Sequence, residues 1–150
     1  MDDDHVVTAA ADAGSEDHHN PITGGQIIDV FTGSIRAADV AVVDGTIASV
    51  GPTRDAHRLV ELGGRFLLPG LIDAHVHLES SMVTPYEFAR AVVPRGTTTV
   101  VCDPHEVANV AGAAGIKWLL DASEGLPLDV RVMMPSCVPA TDLATAGAKL

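Results

Sequence analysis

The residues best suited to chemistry close the apolar run "LLPGLIDAHVHLESS", residues 67–81. His75, His77 and Glu79 are each two positions from the next, and side chains at that spacing share one face of a β-strand. Two imidazoles on one face can chelate a single Zn, Fe or Mn ion. The alternative is a pair of exposed or hydrogen-bonded histidines without a metal. Because the pair ends a predicted strand after an abrupt Pro-Gly entry, where α/β enzymes keep their sites, we expect a metal site.

A second cluster, "CDPHE", occupies residues 102–106 at the end of the next predicted strand. Asp103 is a good helix N-cap, Pro104 suits the first helical turn, and Glu106 takes the capping-box position. These helix-starting roles leave His105 without an explanation. A histidine beside a carboxylate, next in space to another histidine pair, is a candidate proton shuttle or additional metal ligand.

Two further features are interpreted as structural. Cys137 lies in "MPSCVPA" after a third predicted strand, where a buried, unreactive thiol is favoured over ligand contact. The small residues of "AGAAGIKW" are expected to pack a helix against a sheet, and Trp118, Leu119 and Leu120 are expected in the core.

The clusters need a sheet to position them, and the second half of the chain predicts one. From residue 69 to residue 150, apolar strand-like runs alternate with helical segments, in the order strand, helix, strand, helix, strand and the start of a helix. This alternation is typical of a parallel sheet with helices on both faces, which is an α/β fold. The carboxyl ends of the first two strands then carry both clusters.

The first half of the chain has a different pattern. Residues 21–68 contain short apolar runs, and Asp44-Gly45 separates two alternating runs as the turn of a β-hairpin does. We predict a small β-sandwich segment there, with too few strands to close its own core.

The amino-terminal residues show no periodicity. Residues 1–20 are acidic and small, so we predict a disordered tail. His5, His18 and His19 lie within it and are expected to be solvated, not gathered around a metal ion.

Charge and cysteine content restrict the partners and the compartment. The chain has 20 acidic and 9 basic residues and a net charge of −11, which disfavours nucleic acids and anionic membranes as partners. Its 2 cysteines form no disulfide framework, its first residues are not a secretory signal, and no charge-free stretch reaches the roughly 18 residues of a membrane span. We therefore expect a cytoplasmic protein.

A short β unit that leads through "PGLIDAHVHLE" into β/α repeats resembles the metal-dependent amidohydrolase superfamily. Within it, "HVHLESSM", "GTTTVVCDPHEVANVAG" and "PSCVPA", in this order, resemble the adenine deaminase family of bacteria and archaea. The resemblance implies about the first three β/α units of a (β/α)8 TIM-type barrel, preceded by a small β-sandwich segment. It makes His75 and His77 metal ligands, His105 and Glu106 catalytic residues, and Glu79 a substrate-binding residue.

The reaction that the resemblance implies is hydrolysis of adenine to hypoxanthine and ammonia. Its partners are adenine and water, and its cofactor is Mn²⁺, with Fe²⁺ or Zn²⁺ as alternatives; a homo-oligomeric assembly is left open. Because such a barrel needs roughly 250 residues, we expect this chain to be an N-terminal piece that is inactive alone. Two alternatives remain. One is another amidohydrolase that acts on a cyclic amide, dihydroorotase-like or deacetylase-like, and the other is a catalytically dead piece that binds a partner chain through its unfinished sheet edge.

Overall fold

The computed structural model of this chain describes residues 7–8, 20–52 and 59–138. The chain divides after Gly70 into two compact units. Across the described ranges, the helices are too short or too polar to cross a membrane. The three tail histidines and the helix predicted near the end of the chain lie outside the described residues.

The first unit is built from short β-strands alone. Its strands are β1 (Val7–Thr8), β2 (Asn20–Thr23), β3 (Gln26–Asp29), β4 (Ser34–Ala37), β5 (Val40–Val43), β6 (Thr46–Val50), β7 (Val60–Glu61) and β8 (Phe66–Leu68). They form two four-stranded sheets, with the orders β1-β8-β3-β4 and β6-β5-β2-β7. A small apolar cluster of four buried residues joins strands of both sheets: Ile22, Val40, Leu62 and Leu67.

The predicted hairpin is confirmed. Strands β5 and β6 pair in antiparallel fashion, and the residues between them, Asp44 and Gly45, have φ angles of 47° and 73°. Positive φ at both central positions matches the right-handed twist of the flanking strands, which is why Asp-Gly is favoured there.

The structure differs from the predicted tail at two places. Val7–Thr8 pair in parallel with Leu67 and Leu68 of β8, and Asn20 begins β2. The edge of β8 offers backbone N–H and C=O groups, which the backbone of a segment without any periodic side-chain pattern can pair with. The other residues of the predicted tail lie outside the described ranges.

The second unit alternates strands and helices, as the sequence predicts. Its elements are β9 (Leu71–Val76), α1 (Pro85–Val92), β10 (Thr97–Cys102), α2 (His105–Ser123) and β11 (Asp129–Val132), with short 3-10 helices at Glu79–Ser81 and Val93–Arg95. The three strands form a parallel sheet in the order β11-β10-β9. Because the strands are parallel, the carboxyl ends of β9 and β10 meet at one edge of the sheet.

The core of the second unit lies where the helices cover this sheet. Leu78, Cys102 and Leu119 form one buried cluster, and Ala89, Val100 and Leu128 form another. The prediction that three consecutive residues of α2 are core is wrong for two of them, since Trp118 is 55% and Leu120 is 45% exposed. Successive helical residues are about 100° apart, so only one of the three faces the sheet squarely.

Helix α2 is interrupted in its interior. Gly112 has φ 60° and ψ −148°, a backbone conformation that residues with a side chain scarcely adopt. The two halves of the helix approach closely beyond it, because a Cβ atom on Gly115 would lie 2.7 Å from the carbonyl oxygen of Val107. Gly112 and Gly115 therefore allow the first half of α2, which begins with His105, to run in a different direction from the second half.

Candidate metal centre

The two histidines of "HVH" converge at the end of β9. Nε2 of His75 and Nε2 of His77 are 3.2 Å apart, and their rings meet edge to face with centroids 4.9 Å apart. Ligand nitrogens at about 2.0–2.1 Å from a tetrahedral metal lie about 3.3 Å from each other. The spacing of the two nitrogens therefore fits one shared cation.

A backbone hydrogen bond orients the His77 ring. Nδ1 of His77 lies 2.9 Å from the carbonyl oxygen of Asp103. A carbonyl oxygen can only accept, so Nδ1 carries the proton and the neutral ring presents the lone pair of Nε2 towards His75. Metal-binding histidines are commonly fixed by such a bond from the second ring nitrogen.

The side chain of Asp103 adds a carboxylate oxygen to the two imidazole nitrogens as a third candidate ligand atom. One ligand atom each from His75, His77 and Asp103 lie within 4.8 Å of one another. Oδ1 of Asp103 is buried and has no hydrogen-bond partner among the described residues. A buried carboxylate oxygen without a partner is costly, and a cation between the imidazoles would satisfy it.

Sequence reasoning missed this role because it assigned Asp103 to the start of α2. The N-cap of α2 is instead Pro104, which has φ −88° and ψ 37° and provides no side-chain cap. The available signal was position: Asp103 follows β10 directly, at the strand end beside the histidine pair.

His105 adds a third imidazole at the same sheet edge. Its ring centroid is 4.7 Å from that of His77, and its Nδ1 is 3.4 Å from Oδ2 of Asp103. Nδ1 of His105 is buried without a well-aligned hydrogen bond within the described residues. The pair with Asp103 is thus an ionic contact when the imidazole is protonated, and it leaves His105 beside the candidate ligands.

Glu79 does not lie on a strand face with the two histidines, contrary to the expectation from spacing. Strand β9 ends at Val76 and the chain turns into the 3-10 helix at Glu79–Ser81, so the strand alternation no longer applies. Oε1 of Glu79 instead accepts hydrogen bonds from the backbone N–H groups of Glu106 and Val107, at 3.2 and 3.3 Å. Its carboxylate faces the start of α2.

Glu106 is held from the same turn. Oγ of Ser80 lies 2.6 Å from each carboxylate oxygen of Glu106, so its one hydroxyl hydrogen is shared between them. Sequence reasoning singled out Glu106 but missed Ser80, since a serine between two other polar residues carries no signal of its own.

The two cysteines have opposite environments. Cys102 is fully buried, and burial, followed by the nearby Glu79 carboxylate, raises the pKa of its thiol to about 11. A thiol with that pKa is not a nucleophile at neutral pH. Cys137 is exposed, so the prediction that it is buried is wrong: β11 ends at Val132 and Cys137 lies in a turn beyond it.

Comparison with known protein families gives one match that covers most of the second unit. The profile of the amidohydrolase family matches residues 66–149. Among curated relatives, the adenine deaminase of Desulfatibacillum aliphaticivorans is 51% identical over 150 residues, which is 100% of this chain and 26% of that protein. The adenine deaminase of Listeria monocytogenes serovar 1/2a is 54% identical over 121 residues, 81% of this chain and 21% of that protein. The chain thus spans about a quarter of the length of these relatives.

Two solved structures have a fold similar to that of this chain. N-acyl-D-glutamate deacylase from Bordetella bronchiseptica, solved with zinc and a phosphonate inhibitor, is 26% identical with a TM-score of 0.58, over 79% of this chain and 30% of that one. D-hydantoinase from Thermus sp. is 24% identical with a TM-score of 0.60, over 77% of this chain and 27% of that one. The second likeness concerns the fold alone.

Proposed function

This chain belongs to the amidohydrolase family, and from that premise we propose that it contributes the first metal ligands and the proton-handling residues of an adenine deaminase. The observation that carries the proposal is the His75, His77 and Asp103 group, whose ligand atoms lie within 4.8 Å of one another. The substrate is inferred from relatives, since adenine deaminases are about half identical to this chain. The reaction is adenine plus water giving hypoxanthine and ammonia.

Three residues would hold the cation. His75 and His77 offer Nε2 atoms 3.2 Å apart, and Asp103 offers a buried carboxylate oxygen with no partner in the described part of the chain. A divalent cation held there supplies Lewis-acid activation of water at neutral pH. Manganese is the proposed ion, with Fe²⁺ or Zn²⁺ as alternatives, because imidazole and carboxylate ligands suit all three.

His105 and Glu106 would move protons. Replacing the amino group of adenine requires a proton from the attacking water to be taken up and a proton to be delivered to the departing amine. Nδ1 of His105 lies 3.4 Å from Oδ2 of Asp103, beside the candidate ligands, and an imidazole there can deliver a proton. Glu106 keeps an exposed carboxylate, held by the hydroxyl of Ser80, and can accept a proton.

The remaining sequence predictions stand as part of this proposal. The three-stranded parallel sheet would be the beginning of a (β/α)8 barrel, and the first unit part of a β-sandwich, as in the architecture that the resemblance implies. A cytoplasmic location, a homo-oligomeric assembly, and partners other than nucleic acids or membranes also stay predictions.

The test measures metal content and turnover together, in the longest polypeptide that the gene encodes. Wild type and the His75→Ala/His77→Ala double variant are loaded with Mn²⁺, dialysed and analysed for bound manganese, and then assayed with adenine. We expect bound manganese and ammonia release in wild type and loss of both in the double variant, since two of the three ligands are gone. A folded, manganese-loaded wild type that leaves adenine intact but hydrolyses a hydantoin or an N-acyl amino acid would refute the substrate and keep the metal site.

The Asp103→Asn variant tests whether Asp103 is a third metal ligand or a purely structural residue. The amide keeps the size of the side chain and loses the charge that binds a cation, so we expect manganese affinity to fall by about 10- to 100-fold, the range for partners of a metal site. Asp121→Asn is the matched control, because Asp121 is exposed and forms an ion pair with Lys117 on the surface of α2. Equal manganese affinity in the two variants would remove Asp103 from the ligand set.

A further inference from the structure

We propose that Glu79 and Ser80 are positioning residues that dock the first turn of α2 against the end of β9. Glu79 does so through the backbone of α2 and Ser80 through the side chain of Glu106. The docking itself rests on observed contacts. Its catalytic consequence rests on the proposed function, because it concerns His105 and Glu106.

The start of α2 needs an acceptor that its own sequence does not provide. The first N–H groups of a helix have no partner within the helix, and the N-cap, Pro104, makes no side-chain hydrogen bond. Oε1 of Glu79 accepts from the N–H groups of Glu106 and Val107 at 3.2 and 3.3 Å. A carboxylate at this place also faces the positive end of the helix dipole. Glu79 therefore supplies, from another element, the side-chain cap that the N-cap residue Pro104 does not provide.

The adjacent residue makes a second link across the same junction. The hydroxyl of Ser80 lies 2.6 Å from both carboxylate oxygens of Glu106. One link fixes the backbone of α2 and the other fixes the direction of the Glu106 side chain. Together they restrict both the position and the rotation of the first turn.

The two links connect the strand end that carries the candidate metal ligands to the helix start that carries the candidate proton-transfer residues, His105 and Glu106. The turn with Glu79 and Ser80 follows His77 within three residues, and α2 begins with His105. A shift of the helix start would move His105 and Glu106 away from the histidine pair. Oε2 of Glu79 also lies 3.8 Å from Sγ of the buried Cys102, so the second carboxylate oxygen faces the end of β10.

The first experiment compares Glu79→Ala, Glu79→Gln and the control Glu87→Ala in the longest polypeptide of the gene, loaded with manganese. Glu87 is an exposed glutamate of α1 that pairs with Arg90. Amide hydrogen exchange in the peptide that covers the first turn of α2 is measured beside kcat and KM for adenine. We expect faster exchange and a kcat lowered by about 10- to 100-fold in Glu79→Ala, with KM unchanged. Glu79→Gln, which keeps the acceptor oxygen, should restore most of both, and Glu87→Ala should match wild type.

The outcomes separate this inference from the proposed deaminase. Unchanged exchange in Glu79→Ala would overturn the docking role, whatever happens to turnover. A raised KM with unchanged kcat and unchanged exchange would assign Glu79 to substrate contact instead. If the wild-type protein does not hydrolyse adenine but Glu79→Ala still exchanges faster than wild type, the docking role is supported and the deaminase is refuted.

The second experiment isolates the side-chain link. Ser80→Ala removes the hydroxyl that holds Glu106, whereas Ser81→Ala removes a hydroxyl that donates to the carbonyl oxygen of Leu78 in its own turn. We expect Ser80→Ala to lower kcat and to change its pH profile, because Glu106 loses a donor, while exchange in α2 stays close to wild type. Identical kcat and pH profiles in the two serine variants would overturn the role of Ser80.

Discussion

The two helices of the second unit begin in different ways. Helix α1 is capped by its own neighbours: Oγ of Thr84 accepts from the N–H of Glu87 at 3.3 Å, and Pro85 occupies the first helical position. Helix α2 has no side-chain cap from its own N-cap, and its N–H groups are satisfied by Glu79, 27 residues before Glu106. The cap of α1 comes from residues within one helical turn, whereas the side-chain cap of α2 comes from another element.

The two helices also differ in whether they carry candidate site residues. The locally capped helix α1 carries none of the candidate site residues, whereas α2 begins with His105 and Glu106. A local cap fixes where a helix begins along the chain, but it does not fix the helix to another element. A long-range cap does both, because its acceptor belongs to the strand end that carries the histidine pair.

The largest expected effect tests the interruption that α2 has and α1 lacks. Gly112→Ala places a side chain at φ 60° and ψ −148°, so we expect the free energy of unfolding to fall by about 1–3 kcal/mol, measured by urea denaturation. Ala114→Ser, at an exposed position of the same helix, should change it by less than about 0.5 kcal/mol. Equal stability of Gly112→Ala and wild type would show that α2 can run straight.

The next effect compares the two caps directly. Glu79→Ala leaves two N–H groups of α2 without an acceptor and should lower the free energy of unfolding by about 1–2 kcal/mol. Thr84→Ala removes one exposed and rather long hydrogen bond and should cost about 0.5–1 kcal/mol. Urea denaturation of both variants under one set of conditions checks the order. A larger loss in Thr84→Ala would mean that the long-range cap contributes less than the local one.

The smallest effect is on a labelling rate. Because burial raises the pKa of Cys102 to about 11, its thiolate fraction stays low near pH 8 and rises only as the pH approaches 11. Iodoacetamide at pH 8 should therefore label the exposed Cys137 quickly and Cys102 only slowly, as mass spectrometry of the two peptides would show.

The iodoacetamide labelling of Cys102 also measures how readily the first turn of α2 opens. Glu79→Ala should speed the labelling of Cys102, since the first turn of α2 covers less of the strand end when its cap is gone. The labelling of Cys137 serves as the internal control within each sample. Fast labelling of Cys102 in wild type would contradict its burial.

Several parts of the fold could be predicted from the sequence because their causes are local. The hairpin turn at Asp44-Gly45 needs two residues that tolerate positive φ. The alternation of apolar strands with helices in the second unit follows from burial on both sheet faces. Helix α1 could likewise be predicted, since its N-cap Thr84 and its first helical residue Pro85 are adjacent in the sequence.

The errors at Asp103 and Glu79 have a common cause, which is that local rules were applied where a distant residue decides. Asp103 has the right type and place for an N-cap, yet its side chain faces the histidine pair. Glu79 has the spacing of a strand face, yet the strand ends first and the carboxylate caps α2. In both cases the competing partner is more than 20 residues away along the chain.

The sequence by itself determined the types of the elements, the two histidines of the candidate metal site and the family, because these depend on local spacing and residue type. Only the tertiary structure decided the third candidate ligand, the cap of α2 and the place of Glu106. Hydrogen bonds and metal ligation act over about 3 Å in space. Which groups come within that distance is set by the register in which β9 pairs with β10, and no local pattern encodes that register.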